Sequence, residues 1–253
     1  IFMIFAGLNF GLFFQAWKGR LRDVLRDTEL RVYLVMLAVG SAIVVVSLLV
    51  DGAPIILTTG EEVDPTLVDS LRQGVFTTVS VQTTTGFCTS DFNIWPFAAQ
   101  AVLVAMMFVG GCSGSTAGGI KVIRVWMLLR VLFAQVERFI RPRLTRPLRI
   151  GGSTIEEDVQ LSTIAFFLGA LLIIAIGWIL LLVLEGCSPT TAATASVASF
   201  CTIGPGLDAV GAVENYGWFS TGGKITLSAL MILGRLEVFA IVVLCRPAFW
   251  RNF

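Results

Sequence analysis

The chain has 253 residues, of which 56% are hydrophobic and 14% charged; soluble domains run at roughly 45–50% and about 25%. Basic and acidic residues number 18 and 17, leaving a formal charge of +1, and histidine is absent. This composition argues against a soluble globule and gives no reason to expect a nucleic-acid partner. The missing histidine also removes the enzyme classes that need an imidazole to activate a nucleophile.

Residues 1–17 read as the end of a membrane helix entering a basic segment at Lys18. Residues 31–50 predict a full crossing, since about 20 helical residues span the hydrocarbon layer. Residues 51–65, rich in Gly, Pro and acid, predict an external loop. The helix predicted over 66–83 carries Asp69, Arg72 and Gln73, too polar a set to face lipid, and it leads into a Thr/Gly segment at 83–87. Residues 95–109 are apolar, but the GGCSGSTAGG stretch at 110–119 is not. A helix carrying Lys121 and Arg124 resumes over 120–133, and a basic segment runs on to Arg149. The second half repeats this order. Residues 159–184 predict a crossing, 187–189 a short turn, and 190–201 a short helix of Ala, Ser and Thr. TIGPG at 202–206 is a polar stop, 208–218 an external loop, and 219–244 a returning helix that ends at Arg246.

Charge placement orients these elements. Basic residues cluster at Lys18, Arg20, Arg22, Arg26 and Arg31, again from Lys121 through Arg124, Arg130, Arg138, Arg141, Arg143, Arg146 and Arg149, and finally at Arg246 and Arg251. Asp51, Glu61, Glu62, Asp64, Glu185, Asp208 and Glu214 lie between them. The excess of Lys and Arg in cytoplasmic loops puts the basic clusters inside and the acidic loops outside. The cysteines at 88, 112, 187, 201 and 245 show no metal-ligand spacing and read as small packing residues.

One unit therefore occurs twice, starting from the same side each time. The expected fold is an all-α membrane protein of tandem parallel repeats, each with an outer helix, a re-entrant pore helix, a filter loop and an inner helix, as in potassium channels. The expected boundaries are 1–30 for the end of a preceding inner helix and a cytoplasmic linker, 31–150 for a repeat with a broken inner helix, and 151–253 for a final repeat. Gly86 and Gly204 fall in equivalent places, 118 residues apart (204 minus 86). Half-helices too short and polar to span must re-enter, and irregular backbone at that depth survives only against protein or a water-filled cavity. A dehydrated cation needs oxygen ligands, which backbone carbonyls supply without full charges. Gly tolerates the dihedrals that turn successive carbonyls to one axis, and the negative end of a preceding half-helix adds a favourable field. Thr84-Thr85-Gly86-Phe87 and Thr202-Ile203-Gly204-Pro205 both have this form. A single Thr-x-Gly is shared by ordinary loops, whereas two of them in matching repeats point to a pore.

VQTTTGF at 81–87, GGCSGSTAGGIKVIR at 110–124, and IGPGL with LGRLEVF at 203–207 and 233–239 resemble the third and fourth pore repeats of a TrkH-type subunit of the Trk/Ktr/HKT potassium transporter superfamily. MIFAGLNFG at 3–11 resembles the end of the second repeat's inner helix. The resemblance implies a four-repeat pore of which this chain holds two repeats. Thr84, Thr85, Gly86 and Phe87, with Thr202, Ile203, Gly204 and Pro205, would then line a single-row filter whose carbonyls coordinate potassium. It also implies an inner (plasma) membrane location, several crossings, a homodimer in lipid, and a cytosolic nucleotide-binding regulatory subunit. No cofactor is expected; potassium is substrate.

Residues 110–119 cannot hold a stable helix at about 1 kcal/mol lost per Gly and predict an irregular intramembrane loop. The resemblance makes it a gate formed by Gly110, Gly111, Ser113, Gly114, Ser115, Gly118 and Gly119; a close-packed small-residue helix is the alternative. Arg235 lies 11 positions before Arg246, about 16 Å along a helix. A charge at that depth is a functional candidate by default. The resemblance places an Arg here, facing the pore beside the loop, and so implies that Arg235 donates to carbonyls of 110–119 and raises a barrier to cations, unless it only bridges helices. Glu237 does not share its helix face.

Enzyme readings fail on composition. Gly111-Cys112-Ser113-Gly114 is similar to the serine motif of rhomboid proteases, but no histidine exists to activate Ser113. Gly118-Gly119-Ile120-Lys121 misses the phosphate-loop spacing. The remaining alternative to a potassium pathway is a secondary carrier for another monovalent cation, sodium-coupled or sodium-selective; parallel repeats favour the pore. The external acids either solubilise their loops or raise the local cation concentration.

Overall fold

A computed structural model describes residues 1–141 and 149–236. Arg143, Arg146, Glu237, Cys245, Arg246, Arg251 and the end of the 233–239 motif lie outside the described residues. The chain is mainly helical: α1 (Phe2–Ala6), α2 (Phe10–Trp17), α3 (Leu21–Arg26), α4 (Thr28–Asp51), α5 (Leu67–Gln82), α6 (Phe97–Phe108), α7 (Val122–Ile140), α8 (Glu157–Glu185), α9 (Pro189–Phe200) and α10 (Thr221–Arg235). Strand is confined to two minimal antiparallel pairs, Ile55–Ile56 with Glu62–Val63 and Arg149–Ile150 with Ser153–Thr154.

The helix boundaries follow from local chemistry. Asp27 caps α4 by accepting the Leu30 N–H at 2.8 Å. Thr66, Ser188 and Ser220 cap α5, α9 and α10 in the same way, each accepting the N–H three residues on. The two longest helices end on left-handed glycines: Gly52 (φ 67°) donates to Leu48 O and Gly186 (φ 59°) to Leu182 O.

Only α4 (24 residues) and α8 (29 residues), among the described helices, are long and apolar enough to cross a membrane. Each exposes an apolar stripe, Val35, Val39, Ile43, Val46 and Val50 on α4 and Leu168, Leu172, Ile176, Ile179 and Val183 on α8. Against them lie short polar helices. α5 buries Thr77, Thr78, Ser80 and Gln82, and α9 buries Thr191, Thr194, Ser196 and Ser199. Buried hydroxyls and amides on the short helices, with apolar stripes exposed on the long ones, depart from the pattern of a soluble globule. Close approach is bought by small residues. A Cβ on Gly177 of α8 would lie 2.8 Å from Ser196 Oγ, and one on Gly234 of α10 would lie 1.7 Å from Phe200 O. One apolar core joins the halves, with Phe92, Trp95, Leu103 and Met107 packed in the cluster that holds Phe166, Ile174, Phe200 and Ile203.

One expectation changes. The opening apolar segment is not one helix: it breaks between α1 and α2, where Asn9 turns its side chain onto the Gly11 N–H at 2.7 Å. The apolar stretch at 95–109 forms α6, 12 residues long; the backbone leaves helical geometry at Val109 and resumes it at Val122, on either side of the 110–119 loop.

Candidate functional site

α5 and α9 end in the same way. Thr84 N–H donates to Val81 O at 3.0 Å and Thr85 N–H to Ser80 O at 2.9 Å; Thr202 N–H donates to Ser199 O at 3.1 Å and Ile203 N–H to Ala198 O at 2.9 Å. This paired closure normally places Gly in the left-handed position. Here Thr84 (φ 53°) and Thr202 (φ 55°) occupy it, at a conformational cost of about 1 kcal/mol or more each. Gly86 (φ 77°) and Gly204 (φ 112°) follow two residues later. The two loops lie side by side, since a Cβ on Gly86 would fall 2.1 Å from Ile203 O. The Gly204 α-carbon instead faces open space.

Side chains behind the loops hold them. Thr83 and Thr85 share a hydroxyl hydrogen bond at 2.8 Å. Tyr216 donates its phenol to the Gly204 carbonyl at 2.7 Å, and the Cys88 thiol lies 3.6 Å from the Gly86 carbonyl. Thr194 Oγ1 accepts the Leu207 N–H at 3.0 Å. At the far end of the loops Asn93 grips Asp208 twice, accepting its N–H at 2.7 Å and donating to its carbonyl at 2.9 Å.

Residues 110–119 form an irregular loop whose neck is closed by Gly110 N–H to Ile120 O (3.0 Å) and Ile120 N–H to Phe108 O (3.2 Å). The loop touches both Thr-Gly segments: Gly118 N–H donates to Thr84 Oγ1 at 2.7 Å, and a Cβ on Gly118 would lie 2.0 Å from Thr202 Oγ1. Cys112 N–H donates to Gly7 O at 2.9 Å and Thr116 N–H to Ala6 O at 3.3 Å, which explains the break after α1. Two cations converge on the loop's carbonyls. Arg235 Nη1 donates to Thr116 O at 2.9 Å, and Lys121 Nζ donates to Ala117 O. Arg235 is exposed in this chain rather than buried; it borders a cavity of about 230 Å³ that Gly114, Ser115, Gly118, Gly234 and Phe166 also line. Arg124 stacks on Phe166 at 4.1 Å.

The family model described as a cation transport protein, TrkH, matches residues 1–252. The chain belongs to the TrkH family. A Trk system potassium uptake protein TrkH of Halomonas elongata is 36% identical over 255 residues, covering 99% of this chain and 49% of the relative. That of Escherichia coli is 32% identical over 253 residues, covering 100% and 50%. The crystal structure of the potassium transporter TrkH from Vibrio parahaemolyticus matches with a TM-score of 0.86 at 29% identity, covering 98% of this chain and 51% of that one. The chain spans about half the length of the relatives it matches. The family description makes TrkH proteins cation transport proteins.

For a TrkH chain, the residues singled out from sequence gather in one place: Thr84–Gly86, Thr202–Gly204, the 110–119 loop and Arg235 are linked by the contacts above. Phe87 is exposed. Sequence reasoning missed Glu29, Tyr216 and Asn93. Glu29 stands among the acids Asp23 and Asp27 in a basic flank, with nothing local to distinguish it. Yet it is only 9% exposed, and its Oε1 accepts the Ser113 N–H of the loop at 2.6 Å.

Proposed function

We propose that this chain forms two of the walls of a potassium pathway, with residues 31–150 and 151–253 as successive pore repeats and residues 1–30 as the end and linker of a preceding unit. The observation that carries this reading is the pair of matched helix endings, which set Gly86 directly against the Ile203 carbonyl. Thr84, Thr85, Gly86 and Phe87, with Thr202, Ile203, Gly204 and Pro205, supply carbonyl and hydroxyl oxygens that replace potassium's water shell. The negative ends of α5 and α9 face the same point. The open face of Gly204 suits a further wall of the kind Ile203 presents to Gly86.

The loop 110–119 lies under the filter as a gate. While Gly118 N–H holds Thr84 Oγ1, that oxygen is engaged and Gly118 occupies the exit beside Thr202. Arg235 and Lys121 add positive charge there, opposing a cation. The assembly reads as a multi-pass protein of the inner membrane that works as a homodimer in lipid with a cytosolic nucleotide-binding regulator. The relatives' names, each a potassium uptake protein of a Trk system, support potassium over the alternative of a sodium-coupled or sodium-selective carrier.

The deciding test is growth and ion uptake in a bacterium lacking its potassium transporters. The full-length parent is expected to rescue growth at low potassium, Gly86→Ser to lose potassium preference, and Arg235→Ala to alter flux. The 253-residue chain alone, with two walls, is expected not to conduct. Absence of cation flux in the parent, or unchanged selectivity in Gly86→Ser, would overturn the reading and favour the carrier.

A further inference from the structure

Glu29 is a carboxylate in the first turn of α4, buried to 9% exposure. Burying a charge there is costly unless donors repay it, so its partners are informative. Its Oε1 accepts the Ser113 N–H at 2.6 Å across 84 residues, a short, charge-assisted bond. Lys121, just before the start of α7, supplies opposite charge nearby. α7 has no side-chain cap from its own N-cap residue, Lys121. The N-terminus of a helix presents unpaired N–H groups and a partial positive charge that favour an anion.

We infer that Glu29 is a positioning residue for the gate: one carboxylate, fixed to the outer helix α4, holds the 110–119 loop through the Ser113 N–H. The loop's other side is tied to α10 through Arg235 and Thr116. Moving the loop away from Thr84 requires the Ser113 bond to break, so Glu29 sets how often the loop leaves its place beneath the filter. This inference rests on the gate reading of residues 110–119.

The readout is Cys112, which neighbours Ser113, is fully buried, and donates its N–H to Gly7 O. In membranes carrying the full-length parent, a small membrane-permeant thiol reagent would label Cys112, followed by peptide mapping, alongside basal rubidium uptake into proteoliposomes. Glu29→Ala is expected to speed Cys112 labelling about tenfold or more, the scale of losing one hydrogen bond to a charged group, and to raise basal uptake without changing ion preference. Glu29→Gln keeps an oxygen acceptor for Ser113 and is expected to stay near parental labelling. Glu29→Asp, with the carboxylate drawn back by one methylene, is expected to label faster than the parent; it decides the matter if Glu29→Ala does not accumulate. Parental labelling and uptake in both Glu29→Ala and Glu29→Asp would overturn the inference. If, in that case, Gly86→Ser still shifts ion preference, only the role of Glu29 falls; if the parent passes no cation, the pore reading falls with it.

Discussion

Single residues set the shape of the two Thr-Gly loops through backbone geometry. Thr84 and Thr202 sit in the left-handed region that usually belongs to Gly, and each can do so because two backbone bonds to the preceding half-helix hold the turn. Their hydroxyls are the gain, since both meet Gly118 of the loop below. Gly204 depends on a different support. Its carbonyl accepts the Tyr216 phenol at 2.7 Å, and a carbonyl oxygen has a second lone pair left for an ion. Tyr216→Phe deletes one oxygen and keeps the ring stacked on Phe219 (centroids 5.7 Å apart). The expected outcome is a severalfold loss of potassium preference over sodium at unchanged expression, read by competition uptake in the full-length protein. Parental selectivity would show that Gly204 is held by its own loop alone.

Among the helices, polarity and length assign the roles. α4 and α8 are long, apolar and exposed along one face, whereas α5 and α9 are short and polar and are buried by them. The buried Ser196 hydroxyl of α9 donates to the Ile174 carbonyl of α8 at 2.8 Å and ties the two helices together. The spacing between α9 and α10 depends on Gly234, whose missing side chain lets the Phe200 carbonyl come within 1.7 Å of where a Cβ would stand. Gly234→Ala must push these helices apart beside Arg235. It is expected to lower stability by about 1–3 kcal/mol, the usual cost of overpacking, and to weaken the Arg235–Thr116 bond; a lower melting temperature in detergent and altered basal flux would register both.

The two halves are held together at both ends of the Thr-Gly loops. The shared core and the Gly86–Ile203 approach join them centrally, and the Asn93–Asp208 clasp joins them at the far end of the loops. The Asp208 carboxyl accepts hydrogen bonds from Ser188 and from Thr191 (2.7 Å), and these hydroxyls hold it below its ordinary value of 3.8. A carboxyl with a lowered folded value stabilises the fold above the unfolded value and loses that contribution only as pH falls through the folded one. The melting-temperature difference between parent and Asp208→Asn is therefore expected to stay constant from about pH 5 to 8 and to narrow below 3.8. Asn tolerates the left-handed backbone that Asp208 adopts (φ 60°), so the variant tests the charge rather than the turn. A difference that changes between pH 5 and 8 would mean that another group titrates with the clasp.

Local chemistry by itself determined much of this protein. Apolar run length marked α4 and α8, short stretches too polar to face lipid marked α5 and α9, and the glycines of 110–119 marked a backbone that cannot stay helical. Each of these is a short-range property of the chain. Gly86, Gly204 and Arg235 were legible for the same reason, as a flexible or charged residue in an apolar setting. Tertiary structure alone decided the rest. Asn9 looked like part of an apolar helix until the loop's Cys112 and Thr116 took the carbonyls of Gly7 and Ala6. Glu29 looked like one acid among several in a basic flank. Tyr216 and Asn93 lay in a loop with no local signature. Their roles come from hydrogen bonds that span 12 residues for Tyr216, 84 for Glu29 and 115 for Asn93, and partners at that separation are chosen by packing, which composition and spacing do not encode.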